Sequence, residues 1–236
     1  MHMTSDAHLH PVDGIMPERY PDLTGLKHSL SCTSTRDQWI PLMEWGGETV
    51  KSFGIHPWYC DEWDSETESA LLDILREDKG AQVGEIGLDS KRGSVTEQMP
   101  VFRRQLEIAS ELGRIASIHD IGCEKEVLDS IRMWGRGCRG IVLHSYSSDS
   151  YVKPFTEAGC MFSINPRILS RSEIRLKRLL SSIPLDRLLL ESDAPFTAKG
   201  FERMGAFTGR VASLLGMEPS ELEVVVDDNL GRLLHE

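Results

Sequence analysis

Short unbroken apolar runs alternate along this chain with longer segments in which apolar residues recur every three or four positions. The runs read as strands at 4–9, 27–33, 51–55, 82–86, 115–119, 140–144, 160–164 and 187–191. The periodic segments lie near 36–45, 65–79, 97–113, 123–134, 148–158, 170–182 and 201–216, with a last one near 219–234. The clearest is 97–113, where Met99, Phe102, Leu106, Ala109 and Leu112 form one helical stripe. Asp64 or Ser65, with Glu68 three residues beyond Ser65, is placed to cap the second helix, and Gly113 and Gly159 fall where helices should stop. Strand–helix alternation throughout implies a parallel sheet. Eight strands imply closure into a (β/α)8 TIM barrel, formed as a single domain over 1–236. An open doubly wound sheet is the competing arrangement. It calls for a glycine-rich phosphate turn after the first strand, where this chain has His8-Leu9-His10-Pro11.

The polar residues that end these runs change the picture from fold to chemistry. Six side chains able to bind a divalent metal close apolar stretches: His8 and His10, Glu85, His119, His144 and Asp193. In a parallel barrel those ends meet on one face, where active sites lie. His8 and His10 are two apart, so on an extended strand both imidazoles share a face, and Asp6 shares it too. Glu85 stands between Gly84 and Gly87 with room for each oxygen to meet a different cation. An imidazole ending a buried run, as at His119 and His144, is costly without a partner. Each residue alone has a plain reading: a surface or core histidine, an arginine-paired glutamate, or a turn aspartate at 193. Together they exceed what one tetrahedral site uses, so two ions roughly 3.5–4 Å apart are expected. The expected cofactor is two divalent metal ions (Zn, Mn, Mg, Ni or Fe), the imidazoles favouring transition metals over an all-oxygen cage. A metal-held water would attack the substrate, with Asp193 and Glu85 as the catalytic carboxylates.

Composition narrows this further. At 236 residues the chain is slightly shorter than the roughly 250 typical of such a barrel. No apolar run approaches a membrane span, and the N-terminus lacks signal-peptide order. The five cysteines form no C-x-x-C pair and read as reduced thiols of a cytoplasmic protein. A net charge of −11 argues against tight non-specific binding of nucleic acid, but not against a nuclease, because bound cations can supply a local positive field.

The segments Asp6-Ala-His-Leu-His10, Gly54-Ile-His-Pro57, Gly84-Glu-Ile-Gly-Leu-Asp89, Leu143-His-Ser-Tyr-Ser147 and Leu190-Glu-Ser-Asp-Ala-Pro195 together resemble the TatD family of metal-dependent hydrolases. Gln98, Phe102, Gln105, Leu106, Asn229 and Arg232 extend the resemblance over the whole chain. The resemblance implies a (β/α)8 barrel and a deoxyribonuclease, often exonucleolytic, that hydrolyses phosphodiester bonds. It also implies that His8, His10, Glu85 and Asp193 hold one metal, while His119 and His144 hold a second and share Glu85. His56 matches a family position near the mouth and is the substrate-binding candidate. Trp58 and Tyr59 are candidates for contact with bases.

Parts of the family pattern differ here. The arginine usual two residues after the fifth-strand histidine is Ile121, next to Asp120, and losing a guanidinium there weakens a phosphate pocket. Arg167 or Lys91 is the candidate replacement cation. Ser147-Ser148, Ser192-Asp193-Ala194-Pro195 and Ser90 replace other usual residues. The expected partner is DNA as a transient substrate, with no membrane and no obligate protein partner. The competing function keeps the site but acts on a small molecule, as an amidohydrolase, lactonase or phosphotriesterase-like enzyme. A non-catalytic metal-binding protein is the third possibility.

Overall fold

The computed structural model describes residues 5–13, 26–197 and 204–236. Eight parallel strands follow one another in sheet order exactly as in sequence: β1 (Ser5–Leu9), β2 (His28–Cys32), β3 (Val50–Phe53), β4 (Gln82–Asp89), β5 (Ile115–Ile121), β6 (Gly140–His144), β7 (Met161–Ile164) and β8 (Leu188–Leu190). Beyond the ends of β1 and β8, His10 N–H donates to the Ala194 carbonyl (2.8 Å) and Asp193 N–H to the His8 carbonyl (3.0 Å), which ties the last strand to the first. The result is the expected TIM barrel, and the open doubly wound sheet is excluded.

Helices α1 (Trp39–Glu44), α2 (Ser65–Glu77), α3 (Val95–Glu111), α4 (Glu124–Trp134), α5 (Val152–Glu157), α6 (Glu173–Ser182), α7 (Met204–Leu215) and α8 (Pro219–His235) alternate with the strands. Asp64 caps α2 by accepting the Thr67 N–H at 2.8 Å, and Gly113 and Gly159 take the left-handed backbone that ends α3 and α5. The expected stripe on α3 holds for Phe102, Leu106 and Ala109, which are buried, whereas Leu112 lies past the helix end and is exposed. The expected strand 4–9 and helix 201–216 each begin outside the described residues. A kinked 3-10 segment at Pro57–Glu62 falls where no element was expected, and 3-10 turns at Pro166–Ser170 and Leu185–Arg187 overlap only the first residue of an expected helix and an expected strand. Such short turns lack an apolar period to betray them.

The core lies in two places. A large shell between sheet and helices includes Phe53, Leu71, Ile86, Phe102, Phe162 and Phe207. A smaller cluster inside the strands, with Ala7, Leu30, Ile115, Val142 and Leu189, is closed by Leu230 and Leu234 of α8. Asn229 anchors that helix by donating to the Leu185 and Leu188 carbonyls (2.7 and 2.9 Å), and Arg232 reaches the Asp186 carbonyl (3.2 Å). These C-terminal residues therefore fasten the floor of the barrel. On the opposite side, α3 fixes the mouth. The Gln105 amide accepts from Ile55 N–H (2.8 Å) and donates to its carbonyl (3.1 Å), while Gln98 accepts from Asp89 N–H (2.8 Å). Buried amides that fully pair a strand end in this way hold the residues beside it in register.

Candidate metal centre

All six expected ligands converge at the mouth, and all are buried. His8 comes from β1 and His10 from just past it. Glu85 lies midway along β4, His119 within β5, and His144 at the end of β6. Asp193 follows β8. Ser145 and Asp193 adopt positive φ (50° and 51°), a region few non-glycine residues occupy, where the chain turns sharply off β6 and β8. Gly87 lets β4 approach β5 closely; a Cβ there would meet the His119 carbonyl oxygen at 2.0 Å.

Glu85 is the hub, and its two oxygens face different sets of imidazoles. Oε2 lies 3.3 Å from His8 Nε2 and 3.2 Å from His10 Nε2. Oε1 lies 2.9 Å from His119 Nδ1, 3.3 Å from His144 Nε2 and 3.3 Å from His56 Nε2. The donor atoms of His8, His10 and Asp193 also lie within 4.8 Å of one another. His8 Nε2 and His10 Nε2 are only 3.0 Å apart, and His10 Nδ1 is buried with no hydrogen-bond partner among the described residues. So many nitrogen donors crowded on one carboxylate leave lone pairs aimed at common points, which suits divalent cations and suits a purely hydrogen-bonded core poorly.

The far side of each ring decides which nitrogen faces inward. His144 Nδ1 meets Glu191 Oε1 at 2.9 Å, so its proton goes there and Nε2 points at Glu85. His119 Nε2 meets Asp89 Oδ2 at 3.3 Å, leaving Nδ1 inward. His8 Nδ1 contacts Ser117 Oγ at 3.0 Å. His56 differs. Its Nδ1 accepts the Trp58 backbone N–H at 3.2 Å, so the proton sits on Nε2, which is thereby a donor and not a ligand in this arrangement.

Burial and charge set the ionisation of the polypeptide alone. Burial would raise Glu85, but the surrounding imidazoles, His56 and His144 foremost, hold its carboxyl well below the usual range. Burial, reinforced by His144, pulls His8 down to about 4, and burial also brings His56 to about 4. His144 moves the other way: the charges of Glu191 and Glu85 overcome burial and lift it to about 10. Burial opposes ionisation of Glu191 and Asp89, yet their histidine partners keep both near 2. Burial raises Asp193 despite the opposing charges of His144 and Arg167.

Three carboxylates beyond the expected set matter to this geometry. Glu191 accepts at Oε1 from His144 Nδ1, Ser145 N–H (2.9 Å) and Asn165 Nδ2 (3.0 Å). Asp89 takes His119 and also the Trp58 indole N–H (2.7 Å). Asp6 accepts from Ser192 N–H (2.9 Å) and Ser192 Oγ (2.5 Å), binding the end of β8 to β1. All three stood inside the recognised segments, but only cross-strand pairing gives them their roles.

Around the hub, the cleft is lined by Ser34, His56, Trp58, Tyr59, Arg167 and Phe196. Of the two candidate replacement cations, Arg167 lies in the mouth, 3.1 Å from Asp193 Oδ2, while Lys91 is exposed and does not line it. Ile121 contributes only its carbonyl, which accepts from the Ser90 N–H at 2.9 Å. Arg92 stacks over Trp58 at 4.0 Å, at the rim beside Asp89.

A parallel barrel that gathers imidazoles and carboxylates at its mouth defines a hydrolase of the metal-dependent, amidohydrolase-like class. The profile described as "TatD related DNase" matches residues 6–235, and the chain belongs to that family. Over 196 residues it is 30% identical to the 3'-5' ssDNA/RNA exonuclease TatD of Citrobacter koseri, covering 76% of this chain and 75% of that protein. The crystal structure of YJJV, a TatD homologue from Escherichia coli K12, superposes with a TM-score of 0.85 at 18% identity, covering 97% of this chain and 96% of that one. A zinc-bound amidohydrolase from Burkholderia multivorans shares the fold with a TM-score of 0.60 at 14% identity, covering 98% and 99% of the two chains. Among the described residues no helix is long and apolar enough to cross a membrane.

Proposed function

We propose that this TatD-type hydrolase is a nuclease that removes nucleotides from the 3' end of single-stranded DNA or RNA, with a pair of divalent ions at the barrel mouth. The observation that carries the reading is the division of Glu85, one oxygen toward His8 and His10 and the other toward His119 and His144. In this reading His8, His10, Glu85 and Asp193 hold the first ion, and Glu85, His119 and His144 hold the second. Divalent cations held there would acidify a water and offset the charge growing on the phosphate oxygens. Asp193, which would hold the first ion, would also take the proton of the attacking water. His56 donates its Nε2–H to a phosphate oxygen. Arg167 adds positive charge next to the same group, in place of the arginine absent at Ile121. Trp58, Tyr59 and Phe196 offer flat or apolar surfaces to the terminal bases. Glu191 and Asp89 hold their histidines in the ligating tautomer. The substrate class is carried by the relatives named as ssDNA/RNA exonucleases.

The test is hydrolysis by metal-loaded protein of end-labelled single-stranded DNA and RNA, run beside amide, lactone and phosphotriester panels. Stepwise loss of 3' nucleotides, abolished by chelation, is the expected result. Turnover of a small-molecule ester with no nucleic-acid cleavage would transfer the assignment to the competing reading.

A further inference from the structure

The segment 167–178 carries Arg167, Arg171, Arg175, Lys177 and Arg178 against a single acid, Glu173, in a chain whose net charge is −11. Three of these arginines, Arg171, Arg175 and Arg178, line one cleft with Ser147, Ser148 and Asp149. The cleft is on the mouth face, because Ser147–Asp149 follow the end of β6 and Arg171 follows the turn after β7. Arg167, which lines the mouth, belongs to that same turn, Pro166–Ser170. A file of guanidinium groups therefore leads away from the candidate metal centre along α6.

The charge of this file is only partly neutralised. Arg178 pairs with Asp149, and Glu124 adds a second carboxylate to the lining. Glu173 is taken by Lys177 (3.0 Å) and Arg210 (2.6 Å). Arg171 is held by neutral groups, its guanidinium donating to the Ser147 carbonyl and, at 3.0 Å, to Ser147 Oγ. Arg175 is exposed and has no ion-pair partner among the described residues. Ile174, beside it, is 81% exposed and offers an apolar surface amid these charges. Arginines held in place by neutral acceptors, with donors to spare, are the usual phosphate recognition element.

We propose that Arg171, Arg175 and Arg178 form a subsite for the phosphodiester backbone of single-stranded nucleic acid, holding the strand a few nucleotides from the end that is cleaved. The proposal rests on the nuclease reading above. It locates the phosphate-binding charge on the β7–α6 side of the mouth, away from the Ile121 position.

The test compares metal-loaded wild type, the triple variant Arg171→Gln/Arg175→Gln/Arg178→Gln, the single reversal Arg175→Glu, and a control on the far face, Arg132→Gln/Arg136→Gln. Substrates are a 20-nucleotide single-stranded DNA and bis(4-nitrophenyl) phosphate, each across a series of KCl concentrations. For the triple variant, KM on the 20-mer should rise about tenfold or more with kcat unchanged. Its dependence of log(kcat/KM) on log[KCl] should flatten by about 2, at ~0.7 per single-strand phosphate contact. Turnover of the small ester should not change. Arg175→Glu, at an exposed position without a partner, should give the same pattern in smaller measure and guards against misfolding in the triple variant. If the triple variant and the reversal keep wild-type KM and salt slope on the 20-mer, or match the far-face control, the subsite is refuted while the nuclease reading stands. If wild type hydrolyses the ester but never the 20-mer, both fall.

Discussion

Replacing Glu191 by Gln tests whether the site is built to hold metal through residues that never touch it. Glu191 is fully buried and receives three donors at one oxygen: His144 Nδ1, Ser145 N–H and Asn165 Nδ2. Glutamine keeps the shape and an acceptor oxygen but loses the charge, so bonds worth about 1.5–3 kcal/mol become neutral ones worth about 0.5–1.5. The imidazole bond matters most, because it fixes which nitrogen of His144 faces Glu85. Loss of such a partner lowers metal affinity about 10- to 100-fold, equal to about 1.4–2.7 kcal/mol. Titration of metal against a competing chromophoric chelator measures this directly. A second readout uses chelator-treated protein. There His144 is raised to about 10, so the pair stabilises the fold fully below the ordinary histidine value of 6.5 and the contribution is lost as pH rises through 10. Glu191→Gln should weaken that alkaline loss, leaving the smaller part due to Glu85, seen as a flatter dependence of urea midpoint on pH between 7 and 10. Glu191→Ala is the poorer probe, since it strands three buried donors at about 1–3 kcal/mol each. Wild-type metal affinity in Glu191→Gln would show that an uncharged acceptor supports His144 equally well, and would refute the role given to the carboxylate charge.

Further expectations follow from the same geometry. Glu85→Gln removes the group shared between the two proposed ions. Elemental analysis should drop from two metal equivalents to one or none, and kcat should fall by about 10²–10³; retention of both equivalents would contradict a bridging role. His56→Ala should lower kcat on single-stranded DNA by about 10² with metal content unchanged, and metal loss in that variant would make His56 a ligand. Gly87→Ala places a Cβ 2.0 Å from the His119 carbonyl oxygen and should cost about 3 kcal/mol in urea unfolding; wild-type stability would mean that β4 and β5 can part without loss.

Much of this molecule is legible in its sequence. The later strands are legible because barrel strands buried on both faces read as continuous apolar runs, as in Leu188-Leu189-Leu190, whereas β1, β2 and β3 carry polar residues among their apolar ones. The candidate ligands are legible for the complementary reason, since an imidazole or acid closing such a run needs a partner; β4 and β5 nevertheless continue past Glu85 and His119, to Asp89 and Ile121. The tautomers were not legible. Which nitrogen of His144 or His56 points inward depends on Glu191, from a strand two places away in the sheet, and on the Trp58 backbone N–H of a 3-10 turn. Nothing in the spacing of residues encodes either contact. Leu112 failed for a local reason, since it follows the last helical residue of α3, where the chain has begun to leave the buried stripe. Asp6 shares the face of His8 as its spacing implies, but it accepts from the Ser192 backbone and hydroxyl and so fastens strands together.

The electrostatics of the mouth account for how so acidic a chain can handle a polyanion. In the polypeptide alone, Glu85, Asp89 and Glu191 are held ionised at or beneath the barrel mouth, and His8 and His56 are held neutral. These carboxylates oppose a phosphate, with His144, held protonated, and Arg167 as partial counterweights, and bound divalent ions would shift the balance toward positive. An arginine at position 121 would have followed Asp120, whose carboxyl is lifted to about 7 by burial and by Glu124, so the charge there is already contested. The β7 side offers a different balance: Asn165 caps the turn by accepting the Arg167 N–H (3.0 Å), and Arg167 then projects over Asp193. Positive charge built onto this turn and continued along α6 reaches the mouth without crossing the acids that support the metal ligands. The chain thus carries its candidate metal-holding acids and its proposed phosphate-binding arginines on separate elements, which meet where Arg167 contacts Asp193 at 3.1 Å.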